Sequence, residues 1–140
     1  MLKNISPILS PELLKTLMEM GHGDELVLGD GNFPAASVAK RLVRADGHGV
    51  PELLDAILKL FPLDTYVGFP VAVMDNGDAE NPPPIWSEYK KIIAENEGAK
   101  ELELVERFAF YERAKNAYAV VATGETAIYA NIILKKGVVI

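Results

Sequence analysis

Short apolar runs alternate with amphipathic helical patterns along the whole chain. That alternation limits the folds open to it more than any single motif does. Glu25-Leu26-Val27-Leu28 reads as a short, mostly buried strand, and Tyr118 to Thr123 as a stronger one. Leu42 to Ala45, Tyr66 to Met74, Leu102 to Val105 and Ile128 to Leu134 read as further strands. Between them lie helices. Ser10-Pro11 is an N-cap followed by proline at the first helical position, and Leu13, Leu14, Leu17 and Met18 share a face up to Gly21. A short helix follows Pro34. Pro51 opens another, with Leu53, Leu54, Ile57, Leu58 and Phe61 on one side. Another carries Ile85, Trp86, Tyr89, Ile92 and Ile93 inward and ends at Gly98; Phe108 to Asn116 reads as the last. Strands alternating with helices predict an α/β layered domain. The final strands follow each other with only a turn between them, which predicts a mixed sheet with some antiparallel pairing. Residues 1–140 read as one domain, without linker or repeat.

Charge and composition narrow the function. The net charge is −6 and the most basic run is Lys135-Lys136, which is no footprint for a phosphate backbone, so nucleic acid is excluded as a partner. No apolar stretch spans a bilayer, and Met1-Leu2-Lys3-Asn4 opens no secretory signal, so a cytoplasmic protein acting on a small molecule is expected. There is no cysteine, which removes disulfides, thiolate metal sites and thiol nucleophiles. No phosphate-binding glycine loop and no Gly-x-Ser-x-Gly elbow occurs, which disfavours phosphoryl transfer, hydride transfer and serine hydrolysis.

The side chains with chemistry are few. His22 sits at a helix-to-strand corner between Gly21 and Gly23. Its spacing fits a loop histidine bonded to the last carbonyls of the preceding helix, and also an imidazole free to exchange protons near neutral pH. Asp24 reads as a turn residue, or as a carboxylate orienting that imidazole. Asp30, in Gly29-Asp30-Gly31-Asn32, is either a turn residue or a ligand-binding acid at the carboxyl end of a strand. Arg107 offers a planar set of donors, with ion pairing to Glu103, Glu106 or Glu112 as the plainer reading. Tyr129-Ala130-Asn131 alternates as a strand would, putting a phenol and a carboxamide on one side, toward a polyol or toward water. His48 reads as an exposed turn, and Trp86 and Tyr89 as core. His22, Asp24, Asp30 and His48 lack any ligand spacing, and no metal site is assigned.

Taken in order, several stretches resemble the L-fucose mutarotase and D-ribose pyranase family. They are Met20-Gly21-His22-Gly23-Asp24, Asp30 with Asn32-Phe33-Pro34, Arg44-Ala45-Asp46-Gly47, and Arg107 to Arg113. Tyr129-Ala130-Asn131 and Leu134 to Gly137 complete the series. The likeness runs nearly end to end, and Arg107 with the aromatic run after it is similar to the fucose branch; Asp75 to Pro84 and the helix beyond match least. The resemblance implies a three-layer α/β/α fold with a mixed, largely parallel sheet. It implies an isomerase that interconverts the α and β anomers of a free monosaccharide, L-fucose foremost and ribose or related sugars next, without a cofactor. It assigns His22 as proton donor and Asp30, Arg107, Tyr129 and Asn131 to sugar binding. It also implies a homo-oligomer, ring-shaped decamers in bacterial members, with sites near subunit contacts. The rival expectation is a monosaccharide-binding or transport accessory protein without turnover.

Overall fold

The computed structural model describes residues 1–140. Six strands form one sheet: β1 (Glu25–Gly29), β2 (Leu42–Ala45), β3 (Val71–Met74), β4 (Glu103–Val105), β5 (Ala119–Thr123) and β6 (Ile132–Lys135). Five helices accompany them: α1 (Pro11–Glu19), α2 (Ala35–Val38), α3 (Val50–Leu58), α4 (Ile85–Glu97) and α5 (Arg107–Asn116). The strand order is β2-β5-β1-β6-β3-β4. β6 is antiparallel to both neighbours, β1 and β3, and every other pairing is parallel. The sheet is therefore mixed and largely parallel, as expected. The antiparallel pairing arises differently from the expectation. β5 and β6 form no hairpin, because β1 lies between them.

Side-chain alternation along each strand builds two cores. Leu26 and Leu28 of β1 join Val121, Val73, Ile132 and Leu134 under α1, α3 and α4. Val27 points the other way, with Val120, Ala72 and Ile133, under α2 and α5. Both faces of the central strands are covered, which is why they read as unbroken apolar runs. This is the three-layer α/β/α arrangement.

Helix signals held where local chemistry sets them. The Ser10 side chain accepts from the Leu13 N–H at the start of α1, and Gly98 ends α4 at φ 82°. Other boundaries moved. α1 is capped by Met20 rather than Gly21, and its inward face uses Leu13, Thr16 and Leu17 while Met18 is exposed. The run from Tyr66 becomes a strand only at Val71, beyond Pro70, and β3 lies inside the sheet. Arg107 opens α5, one residue after Glu106, whose carboxylate accepts the Phe108 and Ala109 N–H groups. Tyr129 to Asn131 is no strand: the last strand starts at Ile132, and Tyr129 sits in a turn at φ 52°.

Arg113 on α5 ties distant parts of the sheet. It reaches Glu25 at the start of β1 through Nε and Nη2, the shortest contact being 2.6 Å, and Glu103 at the start of β4 at 3.0 Å. Gly124 lies against the Asp46 carbonyl so closely that a side chain there would strike backbone. No helix is long and apolar enough to cross a membrane.

Candidate active site

The strand directions define the site. The carboxyl ends of β1, β3 and β4 and the amino end of β6 meet at one edge of the sheet. Parallel strands whose order reverses around an inserted neighbour leave a crevice there. A cleft of about 220 Å³ occupies that edge, lined by Asp30, Asn32, Phe33, Met74, Arg107, Tyr111, Ile128, Tyr129 and Asn131. All four sugar-binding candidates, Asp30, Arg107, Tyr129 and Asn131, are in that lining. A larger groove of about 1240 Å³, bounded by Pro82-Pro83-Pro84 and Glu88, runs alongside and shares Ile128 and Tyr129. The smaller cleft is the candidate because a carboxylate, a guanidinium, a phenol and a carboxamide converge in it.

Asp30 is buried just past β1. Its Oδ1 accepts the Asn32 N–H at 3.0 Å and its Oδ2 accepts the Ala130 N–H at 3.4 Å. Its own N–H donates to Asn131 Oδ1 at 2.7 Å. Burial pushes the carboxyl above its ordinary value, while the N–H bonds from Asn32 and Ala130 pull it back down. With Oδ1 committed to Asp30, the buried Asn131 offers its amide as donor; its only acceptor in the chain is the weak Met74 sulfur at 3.8 Å. Asp30 thus makes an Asx-type turn and also lines the cleft.

Arg107 joins none of the chain's ion pairs, against the plainer expectation. Glu103 is taken by Arg113, Glu112 by Lys115, and Glu106 caps α5. Its Nε donates to the Tyr111 hydroxyl at 3.0 Å, and the guanidinium lies 5.2 Å from the Phe108 ring centre and 5.5 Å from that of Tyr111. Two residues four apart on a helix share a face, which brings Tyr111 to the cleft beside Arg107. Tyr111 was legible only as part of an aromatic motif.

Tyr129 adopts the left-handed region at φ 52°. For a residue with Cβ that costs about 1–2 kcal/mol. Two α4 side chains hold the segment: Trp86 Nε1–H donates to the Tyr129 carbonyl at 2.9 Å, and the Tyr89 hydroxyl to the Ala130 carbonyl at 2.6 Å. Both aromatics are core, as expected, but each keeps a polar end in use.

His22 is elsewhere. It precedes β1 while Asp30 follows it, so the strand's five residues separate them by about 17 Å at roughly 3.3 Å per residue. Its Nε2 lies 3.1 Å from Asp64 Oδ1, and its ring centre 5.4 Å from that of Tyr66. It caps no helix carbonyl. Asp24, the carboxylate considered for orienting it, instead accepts the Gly21 N–H at 2.8 Å. The orienting acid is Asp64, which sequence reasoning missed. The isolated bridge Leu63↔Lys136, and the Asp64 N–H bond to the Lys135 carbonyl at 3.0 Å, bring it beside Gly23, whose N–H bonds the Lys136 carbonyl. Such long-range pairing leaves no local signal. A carboxylate only accepts, so Asp64 fixes the Nε2–H tautomer and leaves Nδ1 as the exchangeable position. His48 bonds Glu52 at 3.1 Å on the exposed start of α3, as a turn residue would.

The Tyr66 N–H, foremost, and then His22 hold the Asp64 carboxyl below its ordinary 3.8. The unfolded chain therefore takes up this proton first. The stability Asp64 contributes is complete above about pH 4 and drains as pH falls through its folded value. Urea unfolding of wild type and Asp64→Asn between about pH 3 and 6 is expected to show a stability gap that narrows below about pH 4. A gap that stays constant would mean that the folded structure does not hold this carboxylate.

Comparison with known proteins gives the chain its relatives. Residues 3–139 match the model of the RbsD / FucU transport protein family. The fucose mutarotase of Homo sapiens is 55% identical over 98% of this chain and 94% of its own length. The L-fucose mutarotase of Actinobacillus pleuropneumoniae serotype 5b is 55% identical over 99% of this chain and 97% of its own. Among solved structures, the fucose mutarotase of Streptococcus pneumoniae, in complex with L-fucose, superimposes with a TM-score of 0.94 at 54% identity, covering 99% of this chain and all of that one. Bacillus subtilis RbsD complexed with D-ribose shares the fold at a TM-score of 0.77 and 24% identity. With a family model matched from end to end and relatives more than half identical across their length, this chain belongs to the RbsD / FucU family.

Proposed function

We propose that this protein is a cofactor-independent mutarotase that interconverts the α and β anomers of a free monosaccharide, L-fucose foremost. The observation that carries the reading is the convergence of Asp30, Arg107, Tyr129 and Asn131 in one cleft, in a chain 55% identical to fucose mutarotases. A pyranose presents hydroxyls on several sides. The Asp30 carboxylate accepts from them, and Arg107 and the Asn131 amide donate to them. Phe33, Met74 and Ile128 supply apolar wall, which suits the C–H faces and methyl group of a deoxy sugar.

Exchange needs one proton delivered to the ring oxygen and one removed from the anomeric hydroxyl. The ring opens to an aldehyde, rotation about C1–C2 turns the carbonyl over, and the ring hydroxyl closes on its other face. The net oxidation level does not change. His22 delivers the proton, with Asp64 holding its tautomer, and Tyr129 or a bound water takes the other.

Because His22 and the cleft lie at opposite ends of β1, the acting His22 comes from a second copy seated on the cleft. Exposed apolar side chains at both ends support such a contact: Phe108 and Ile128 at the cleft, Tyr66 against His22. The assembly is a homo-oligomer, on the family pattern a decameric ring, working in the cytoplasm as a single-domain chain.

Saturation-transfer NMR on L-fucose, D-ribose and D-galactose tests the reading. Accelerated exchange is expected, fastest for L-fucose. Sugar affinity without acceleration would mean a carrier, and neither would place the function elsewhere.

A further inference from the structure

Trp86 and Tyr89 lie three residues apart on α4, on one face, and are core residues of the kind that fill any α/β layer. Their polar ends nevertheless converge on one spot. They donate to two successive carbonyls, those of Tyr129 and Ala130, at 2.9 and 2.6 Å. The segment they hold is unusual in three ways. Tyr129 has a left-handed backbone, which a tyrosine seldom adopts. The Ala130 N–H faces the Asp30 carboxylate. Asn131 next to it holds the Asp30 N–H. Three of the cleft's polar residues, Asp30, Tyr129 and Asn131, therefore depend on how residues 129–131 are oriented, and that orientation is gripped from behind, out of reach of the sugar. Strain of this kind persists where the surroundings over-determine it, and it collects at functional sites.

We propose that Trp86 and Tyr89 are positioning residues for sugar binding: a two-pronged clamp that keeps Tyr129 left-handed, so that its phenol faces the cleft and the Ala130 N–H holds the Asp30 carboxylate. This rests on the mutarotase reading of that cleft. Neither side chain lines it, so both act through Tyr129 and Asp30. Burial keeps the Tyr89 phenol protonated far above neutral pH, so the donor is always present.

Tyr89→Phe removes one donor and only the volume of a hydroxyl, whereas Trp86→Phe removes one donor and also shrinks the core, so thermal unfolding checks that both variants fold. Each is expected to raise KM for L-fucose about 3- to 10-fold, as the loss of one hydrogen bond would, with kcat within about 2-fold. In a Tyr129→Gly background the same substitutions are expected to move KM less than they do in the wild type, since no phenol remains to be oriented and only the effect through Asp30 persists. KM effects that multiply in that background, or an unchanged KM in the single variants, would reduce the two residues to ordinary core. A direct readout needs no sugar. The three-bond HN–Hα coupling of Tyr129 reports its φ, and it should change in Trp86→Phe/Tyr89→Phe; an unchanged coupling overturns the clamp. Wild type that failed to accelerate exchange would sink the mutarotase reading while leaving this coupling test intact.

Discussion

His22→Ala is expected to slow anomer exchange by about 10²- to 10⁴-fold, the contribution of one positioned acid–base group, or roughly 3–5 kcal/mol of barrier. Affinity for the sugar should change far less, because the hydroxyl partners sit at the other end of β1. Saturation-transfer NMR measures the first quantity and titration calorimetry the second. Wild-type exchange from this variant would remove the imidazole from the reaction. The same residue offers a sharper test. His22→Ala and Asp30→Asn are each expected to be slow alone. If every site takes His22 from one copy and Asp30 from another, co-expressed chains assembled at random regain about a quarter of the wild-type sites. If each chain supplied both residues to its own site, no mixture would recover anything. The distance along β1 predicts recovery.

Arg113→Met is expected to destabilise the fold by about 3 kcal/mol, a fall of about 10 °C in Tm for a domain of this size. Arg113 and Glu25 are largely shielded, with 24% and 16% of their side chains exposed, and Glu103 lies on the other side of the guanidinium. Methionine keeps much of the volume but leaves two carboxylates facing each other without the cation between them. Arg113→Lys should recover only part of the loss, since an ammonium cannot reproduce the fork that holds both Glu25 oxygens. Glu25→Gln/Arg113→Met should be less damaged than the two single losses added together, because the charge left unpaired goes as well. Urea and thermal unfolding decide all three. The exposed pair Lys15–Glu19, at 3.6 Å, sets the contrast: breaking it should cost under about 1 kcal/mol.

What could be read from the chain, and what could not, divides by the range of the interactions. The start of α1 at Ser10-Pro11, the end of α4 at Gly98 and the buried runs of β1 and β5 are written in neighbouring residues. Asp30 was legible because it follows a strand. Three features escaped because their partners are distant in sequence. Asp64 meets His22 across 42 positions, through a single bridge of backbone. The Trp86 and Tyr89 donors reach carbonyls 43 and 41 residues away, and helical spacing showed only their apolar bodies. The alternation at Tyr129 to Asn131 suggested a strand, yet bonds from α4 and from Asp30 bend it into a turn. Arg107 escaped for the opposite reason: its nearby acids looked available, but Arg113, Lys115 and the start of α5 claim them.

The placement of β6 bears on the order in which the molecule can be made. It lies between β1 and β3, with β5 and β2 beyond one neighbour and β4 beyond the other. Until residues 132–135 have emerged during synthesis, the earlier strands are two separate ribbons whose inner margins carry unpaired backbone. Such margins invite pairing with other nascent chains. Premature termination between Thr123 and Ile132 would therefore yield not a smaller working protein but two halves with nothing to join them, prone to clump.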